Sequence, residues 1–111
     1  MTKISDEFMM ESLKKSKNYS LVILKSGPNR NNEGIDELIW EHARRNFSLR
    51  ADKLLHIVCP VSDGSDVSGI GIFDANSDEV RKIMDDDPAV KEGIFIYEIH
   101  ECRSFPGDSL A

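Results

Sequence analysis

Four runs rich in β-branched and aromatic residues, set apart by helical patterns and tight turns, limit the folds open to this chain. The first is Tyr19–Lys25, which ends against Gly27-Pro28, a pair that breaks strands. Glu33 to Arg50 follows with helical spacing: Ile35, Leu38, Ile39, His42, Asn46 and Leu49 share one side, flanked by Trp40, Ala43 and Phe47. Asn32 or Asn31 is the expected cap. Lys53–Val61 and Ser68–Asp74 read as a second and a third strand, joined by the turn formers Ser62-Asp63-Gly64-Ser65-Asp66. Asn76–Asp86 reads as a second core helix, with Asn76 as cap and Glu79 three residues on as its capping-box partner. Pro88 stops it, and Gly93–Cys102 is the fourth strand.

The order strand, helix, strand, strand, helix, strand is that of an α+β, ferredoxin-like βαββαβ fold. Right-handed crossovers put both helices on one face of the sheet. Before this core (about 19–102) comes an extra N-terminal helix, about 5–16, carrying Phe8, Met9 and Leu13 on one side and lysines at its end. Residues 103–111 read as an irregular tail. At 111 residues the chain is expected to form a single domain.

A sheet with helices on one face should be polar on the other. These strands are apolar on both. In the last, Ile94 and Ile96 point one way while Phe95, Tyr97 and Ile99 point the other; in the second, Leu54 and Val58 oppose Leu55 and Ile57. Something must cover the second face, and a second copy of the sheet is the simplest cover, so a homodimer is expected.

The formal net charge of −6 argues against nucleic acid, whose phosphates call for clustered Lys and Arg, and against anionic membranes. No stretch is long and apolar enough for a membrane span, and Asp6, Glu7 and Glu11 interrupt any leader-like run, so a cytoplasmic location is expected. The two cysteines, Cys59 and Cys102, lie in apolar strand runs and read as reduced, buried, slow-reacting thiols.

Several residues could carry chemistry. His42 sits in the apolar stripe of the long helix, either as a general base or as a core histidine bonded to a backbone carbonyl. Asp85-Asp86-Asp87-Pro88 sets three carboxylates at a helix C-terminus, against the macrodipole and against one another, a broken local rule of the kind that marks function. Its plainer reading makes Asp87 the cap of a further turn starting at Pro88 and leaves the other two solvated. Gly69 and Gly71 share one face of the third strand and allow a helix or a ligand to come close. Lys25 and Arg30, near the end of the first strand, could hold an anion. His56 and His100 read as structural. No phosphate loop, nucleophile elbow or paired-cysteine zinc motif is present, and neither a cofactor nor a metal is implied.

Trp40-Glu41-His42 on a helix after the first strand, then two strands, a helix ending in Asp86-Asp87-Pro88, and Gly93 leading into Ile94-Phe95-Ile96-Tyr97-Glu98-Ile99 resemble the YciI-like (YCII-related) family over about 19–102. The resemblance implies a dimeric α/β barrel and a His–Asp dyad facing a pocket, with His42 and Asp87 in the matching positions. One related member is similar to a dehydrochlorinase acting on a hydroxylated aromatic ring. The N-terminal helix and the Ser104–Asp108 tail depart from the family pattern. The expectation is a cofactor-independent small-molecule enzyme in which His42 abstracts a proton and Asp87 orients it, with Lys25, Arg30, Gly69 and Gly71 contacting the substrate. The alternative is a non-catalytic ligand-binding or interaction module on the same fold.

Overall fold

The computed structural model describes residues 1–111. Its elements are α1 (Asp6–Lys14), β1 (Lys17–Ser26), α2 (Asp36–Ala51), β2 (Leu55–Pro60), β3 (Val67–Phe73), α3 (Ser77–Asp85), α4 (Pro88–Lys91) and β4 (Phe95–Ser104). The four strands form one antiparallel sheet in the order β2-β3-β1-β4. That is the ferredoxin-like arrangement, with α2 packed against β2 and α3 against β4.

Register decides which side chains meet the helices. Ser20, Val22 and Leu24 of β1 pair with Phe73, Gly71 and Gly69 of β3, and Val22 and Leu24 pair with Ile99 and Tyr97 of β4. This face joins Leu55, Val80, Met84, Ala89, Ile94 and Phe95 in the core. The alternate residues form the open face: Leu21 beside Ile72 and Ile57, Ile23 beside Ile70 and Cys59, and Lys25 beside Ile96. A register shift between Leu55 and Ile57 corrects the expected alternation in β2, because it turns Leu55 and Val58 to the same side.

Helix boundaries follow local chemistry. Asn76 caps α3 by accepting from the Glu79 amide at 2.9 Å, while the Glu79 carboxylate takes the Asn76 side-chain amide at 2.9 Å. The expected Asn31 or Asn32 cap on α2 does not form. Residues 28–31 and 33–34 are turns, Gly34 has a positive φ of 77°, and Ile35 takes the N-cap position without a side-chain bond. Asp36 and Glu37 in the first turn meet the helix dipole instead. β4 runs on to Ser104, beyond the expected end, because Lys17 and Asn18 continue the β1 ladder beside it. α1 starts at a Ser5 cap and has no buried residue.

Candidate functional site

The site is built where two loops cross. After β1, Gly27 passes so close to the α4–β4 corner that a Cβ there would lie 2.3 Å from the Gly93 carbonyl oxygen. The Gly27 and Asn29 amides donate to the Ile94 and Gly93 carbonyls at 2.8 and 2.9 Å. Gly93 itself has a φ of 71°, which a side chain disfavours. Those two glycines lock the corner that carries Asp87.

Asp87 precedes a proline and is extended there, with φ −69° and ψ 130°. One carboxylate oxygen, Oδ2, accepts from the backbone N–H groups of Ala89 and Val90 at 3.0 and 3.2 Å, capping α4. The other, Oδ1, lies 2.9 Å from Nδ1 of His42. Asp87 therefore caps a turn and also meets the histidine; the two sequence readings of this residue are not exclusive. It is 1% exposed and His42 is 8% exposed. An ionised carboxylate only accepts, so a neutral imidazole bonded to it would carry its proton on Nδ1 and its lone pair on Nε2. The Asn46 amide, one helical turn on, approaches Nε2 at 3.4 Å, a long bond. The His42 ring leans on Phe95, centroids 5.0 Å apart and planes at 49°.

Arg45, on the same side of α2, was not singled out by the sequence. Its guanidinium donates to the Ile83 carbonyl at 2.6 Å and lies 3.9 Å from Oδ1 of Asp87 and 3.7 Å from Asp86. It ties α2 to the end of α3 and adds a positive charge behind the buried carboxylate. The signal was its place three residues after His42, which puts both on one helix face.

The aspartate run is less frustrated than its sequence suggested. Asp85 accepts the Tyr97 hydroxyl at 2.5 Å, and Asp86 lies 3.0 Å from the Lys91 ammonium. Both stay exposed, as expected, and each is also paired: the partners arrive from β4 and α4, which the local pattern could not reveal. Lys91 and Arg45 hold the Asp86 carboxyl below its usual range. Burial, and then the bond to Asp85, push the Tyr97 phenol up to about 12.

A cavity of about 500 Å³ opens between α2 and the β1–β3–β2 part of the sheet. Its wall is mostly apolar, with Val22, Leu24, Ile39, Leu55, Met84 and Phe95, and its polar groups include His42 and Asn46. Gly69 and Gly71 line it as well. A side chain on Gly71 would press on Leu55 Cδ1 at 3.0 Å, and one on Gly69 would meet the Cys59 carbonyl at 3.3 Å. The missing side chains let Leu55 and Phe73 pack close over Gly71 and the β2 backbone pack close over Gly69.

Lys25 is not brought to this cavity. Its position in β1 turns it to the open face, where it bonds Glu98 at 2.8 Å, and that carboxylate holds its ammonium above the usual range. Arg30 does not line the cavity either; it lies over the Phe95 ring, 5.8 Å from the centroid. His56 and His100 sit on the surface beside Asp74 and Glu98. Both cysteines are free, and Cys59 is exposed at the cavity rim because β2 is an edge strand, which corrects the expectation of burial; Cys102 is half-buried. No three His, Cys, Asp or Glu side chains gather where they could hold a metal ion. No helix is long and apolar enough to cross a membrane.

No family model matches the sequence, and no curated protein does. Among solved structures, the chain resembles the 5-chloro-2-hydroxyhydroquinone dehydrochlorinase TftG from Burkholderia phenoliruptrix AC1100, in a complex with 2,5-dihydroxybenzoquinone. The TM-score is 0.55 at 23% identity, over 74% of this chain and 90% of that one. The fold is shared. At that identity the likeness speaks for the backbone arrangement alone.

Proposed function

We propose that the chain is a small-molecule enzyme in which His42 abstracts a proton and Asp87 orients it. One observation carries the reading: a histidine that lines a largely apolar cavity has its far nitrogen bonded at 2.9 Å to a buried carboxylate. That is the base–orienter geometry of general base catalysis. In the proposed step the Nε2 lone pair takes a proton from a carbon or hydroxyl of the substrate. The electron pair left behind forms a new C=C or C=O bond as a leaving group departs with its own bonding pair, or, where no group leaves, is taken up by an adjacent carbonyl of the substrate as an enolate. Asp87 stabilises the resulting imidazolium, which returns its proton to water. The Asn46 amide, held only loosely at 3.4 Å, is placed to give way to the substrate. A mostly apolar cavity favours a weakly charged substrate, and the dehydrochlorinase on this fold is consistent with one.

The apolar open face supports homodimerisation in the same reading, with Leu21, Ile23, Ile57, Ile70, Ile72 and Ile96 covered by a second copy.

The test is a panel of hydroxylated and chlorinated six-membered ring compounds, 2,5-dihydroxybenzoquinone included, incubated in heavy water. Wild type should release chloride or exchange ring hydrogen for deuterium, and His42→Gln should not. Ligands that bind without turnover, or equal rates in the two proteins, would favour the binding-module alternative.

A further inference from the structure

The cavity beside His42 has a charge character opposite to that of the chain. The sequence holds 20 Asp and Glu against 14 Lys and Arg, yet no Asp or Glu lines this cavity. Its basic side chains are His42, His56 and Arg50. His56 lies 4.0 Å from Asp74, and His42 meets Asp87. Arg50 has no such partner. Of the three arginines on α2, Arg44 pairs with Glu41 at 3.2 Å and Arg45 lies 3.7 and 3.9 Å from Asp86 and Asp87, whereas no carboxylate comes within 4.0 Å of Arg50. The helix dipole accounts for a cation in the last turn of α2. It does not account for one that reaches a cavity wall with no acid beside it. The guanidinium is also placed. Helical side chains lean toward the N-terminus of their helix. Arg50 does so: its Cζ stands over the ring of Phe47, 5.1 Å from the centroid, one turn nearer to His42. A cation resting on an aromatic face keeps its N–H donors free for an anion.

We infer that the ligand of this cavity is a small organic acid, an apolar body bearing one carboxylate, and that Arg50 is the residue that selects the carboxylate. The inference deepens the proposed function, since it takes this cavity as the site of His42. His42, Asn46 and Arg50 recur every four residues and all line the cavity, so a base, an amide and a cation climb one wall. Eight residues of helix set the Cα atoms of His42 and Arg50 about 12 Å apart, and the backward lean of Arg50 shortens the gap its guanidinium leaves. A small acid can therefore lie along α2 with its carboxylate at Arg50 and its apolar body toward His42. The planar guanidinium matches a carboxylate through two parallel N–H···O bonds. The apolar body meets Ile39, Leu55 and Phe95 on the remaining wall. A ligand with several charges is disfavoured, because one unpaired cation in a mostly apolar wall answers only one of them.

The experiment measures binding rather than turnover, by calorimetry on the full-length protein. The probes are benzoate, phenylacetate and 2,5-dihydroxybenzoate, each beside its own amide, which keeps the body and removes the charge. Wild type should bind at least one acid roughly tenfold tighter than its amide, and added salt should weaken the acid alone. Arg50→Met should bring that acid to the affinity of its amide and leave the amide unchanged. Arg50→Lys should keep part of the preference, because the charge remains and the fork is lost. Arg50 is exposed, so both variants should fold, which an unchanged circular dichroism spectrum checks. Equal affinities for every acid and its amide overturn the inference. So does the failure of every acid to bind at millimolar concentration, and so does an Arg50→Met protein that still prefers the acid. None of these outcomes touches the enzyme reading, which stands or falls on the comparison of wild type with His42→Gln. An acid held through Arg50, in a protein whose His42→Gln variant matches wild type on the ring-compound panel, keeps this inference and overturns the enzyme reading.

Discussion

The two faces of the sheet use the same residue types to different ends. On β1, Val22 and Leu24 are 3% and 8% exposed under the helices, while Leu21 and Ile23, the alternating residues, are only half-buried. The covered face closes around a buried polar pair, His42 and Asp87, with every buried polar side chain satisfied. The open face instead carries Lys25 and His100 on either side of Glu98, at 2.8 and 3.1 Å. Apolarity states that a surface must be covered; it does not state by what. The helices that cover one face also bring in the groups that make a site, whereas the other face has no helix over it.

The sharpest way to break this contrast is to remove the polar pair from the covered side. Asp87→Ala leaves the α4 amides uncapped and the His42 N–H without an acceptor in a buried place. Losses of about 3 kcal/mol are expected in urea unfolding. Asp87→Asn keeps the cap and should lose roughly 1 kcal/mol. If Asp87→Ala were no worse than Asp86→Ala, the buried carboxylate would not be holding the corner together.

Two neighbours on one strand test the faces directly. Leu24→Ala should destabilise by about 3 kcal/mol at every protein concentration, since it opens a cavity in the core. Ile23→Ala should show a loss that depends on concentration, because a dimer's stability includes association. Equal, concentration-independent losses would mean that the open face is covered within one chain.

A smaller effect probes the cavity floor. Gly71→Ala pushes only on the end of the Leu55 side chain, so it should leave unfolding within about 1 kcal/mol of wild type. By displacing Leu55, which lines the cavity, it should nonetheless weaken binding of a ligand seated there, as measured by calorimetry with the tightest binder from the ring-compound panel. Unchanged affinity would place the ligand away from Leu55.

Much of the fold could be read from pattern. The element order, the Asn76 cap and the apolar character of both faces follow from spacing and residue type, because each is a short-range property. The meeting of His42 with Asp87 was accessible only through the resemblance and the shared side of the two helices. What stayed hidden depends on neighbours distant in the chain. Strand alternation separates Lys25 from Leu24, but not which of them faces the helices. Nor does it mark β2 as an edge strand with Cys59 exposed. The partners of Asp85 and Asp86 come from other elements, so a sequence window sees only three carboxylates repelling one another.

Tyr97 offers the finest test of enclosure on the covered face, since it pairs with Leu24 and donates its hydroxyl to Asp85 at 2.5 Å. Burial disfavours the phenolate, and Asp85 adds a bond to the neutral form and a repelling charge, so ionisation moves from 10.0 to about 12. The folded protein then holds this proton more tightly than the unfolded chain does. Its contribution to stability is complete below pH 10.0 and is lost as the pH rises through about 12. An ultraviolet titration of the two tyrosines should show part of the tyrosinate signal delayed toward pH 12. Asp85→Asn should bring that part to lower pH, because it removes the charge but not the burial. If no part of the signal is delayed, water reaches Tyr97 freely and the covered face is looser than its packing implies. If the delay survives Asp85→Asn undiminished, burial alone sets it, and the Asp85 carboxylate is as solvated as its place in an exposed acidic run first suggested.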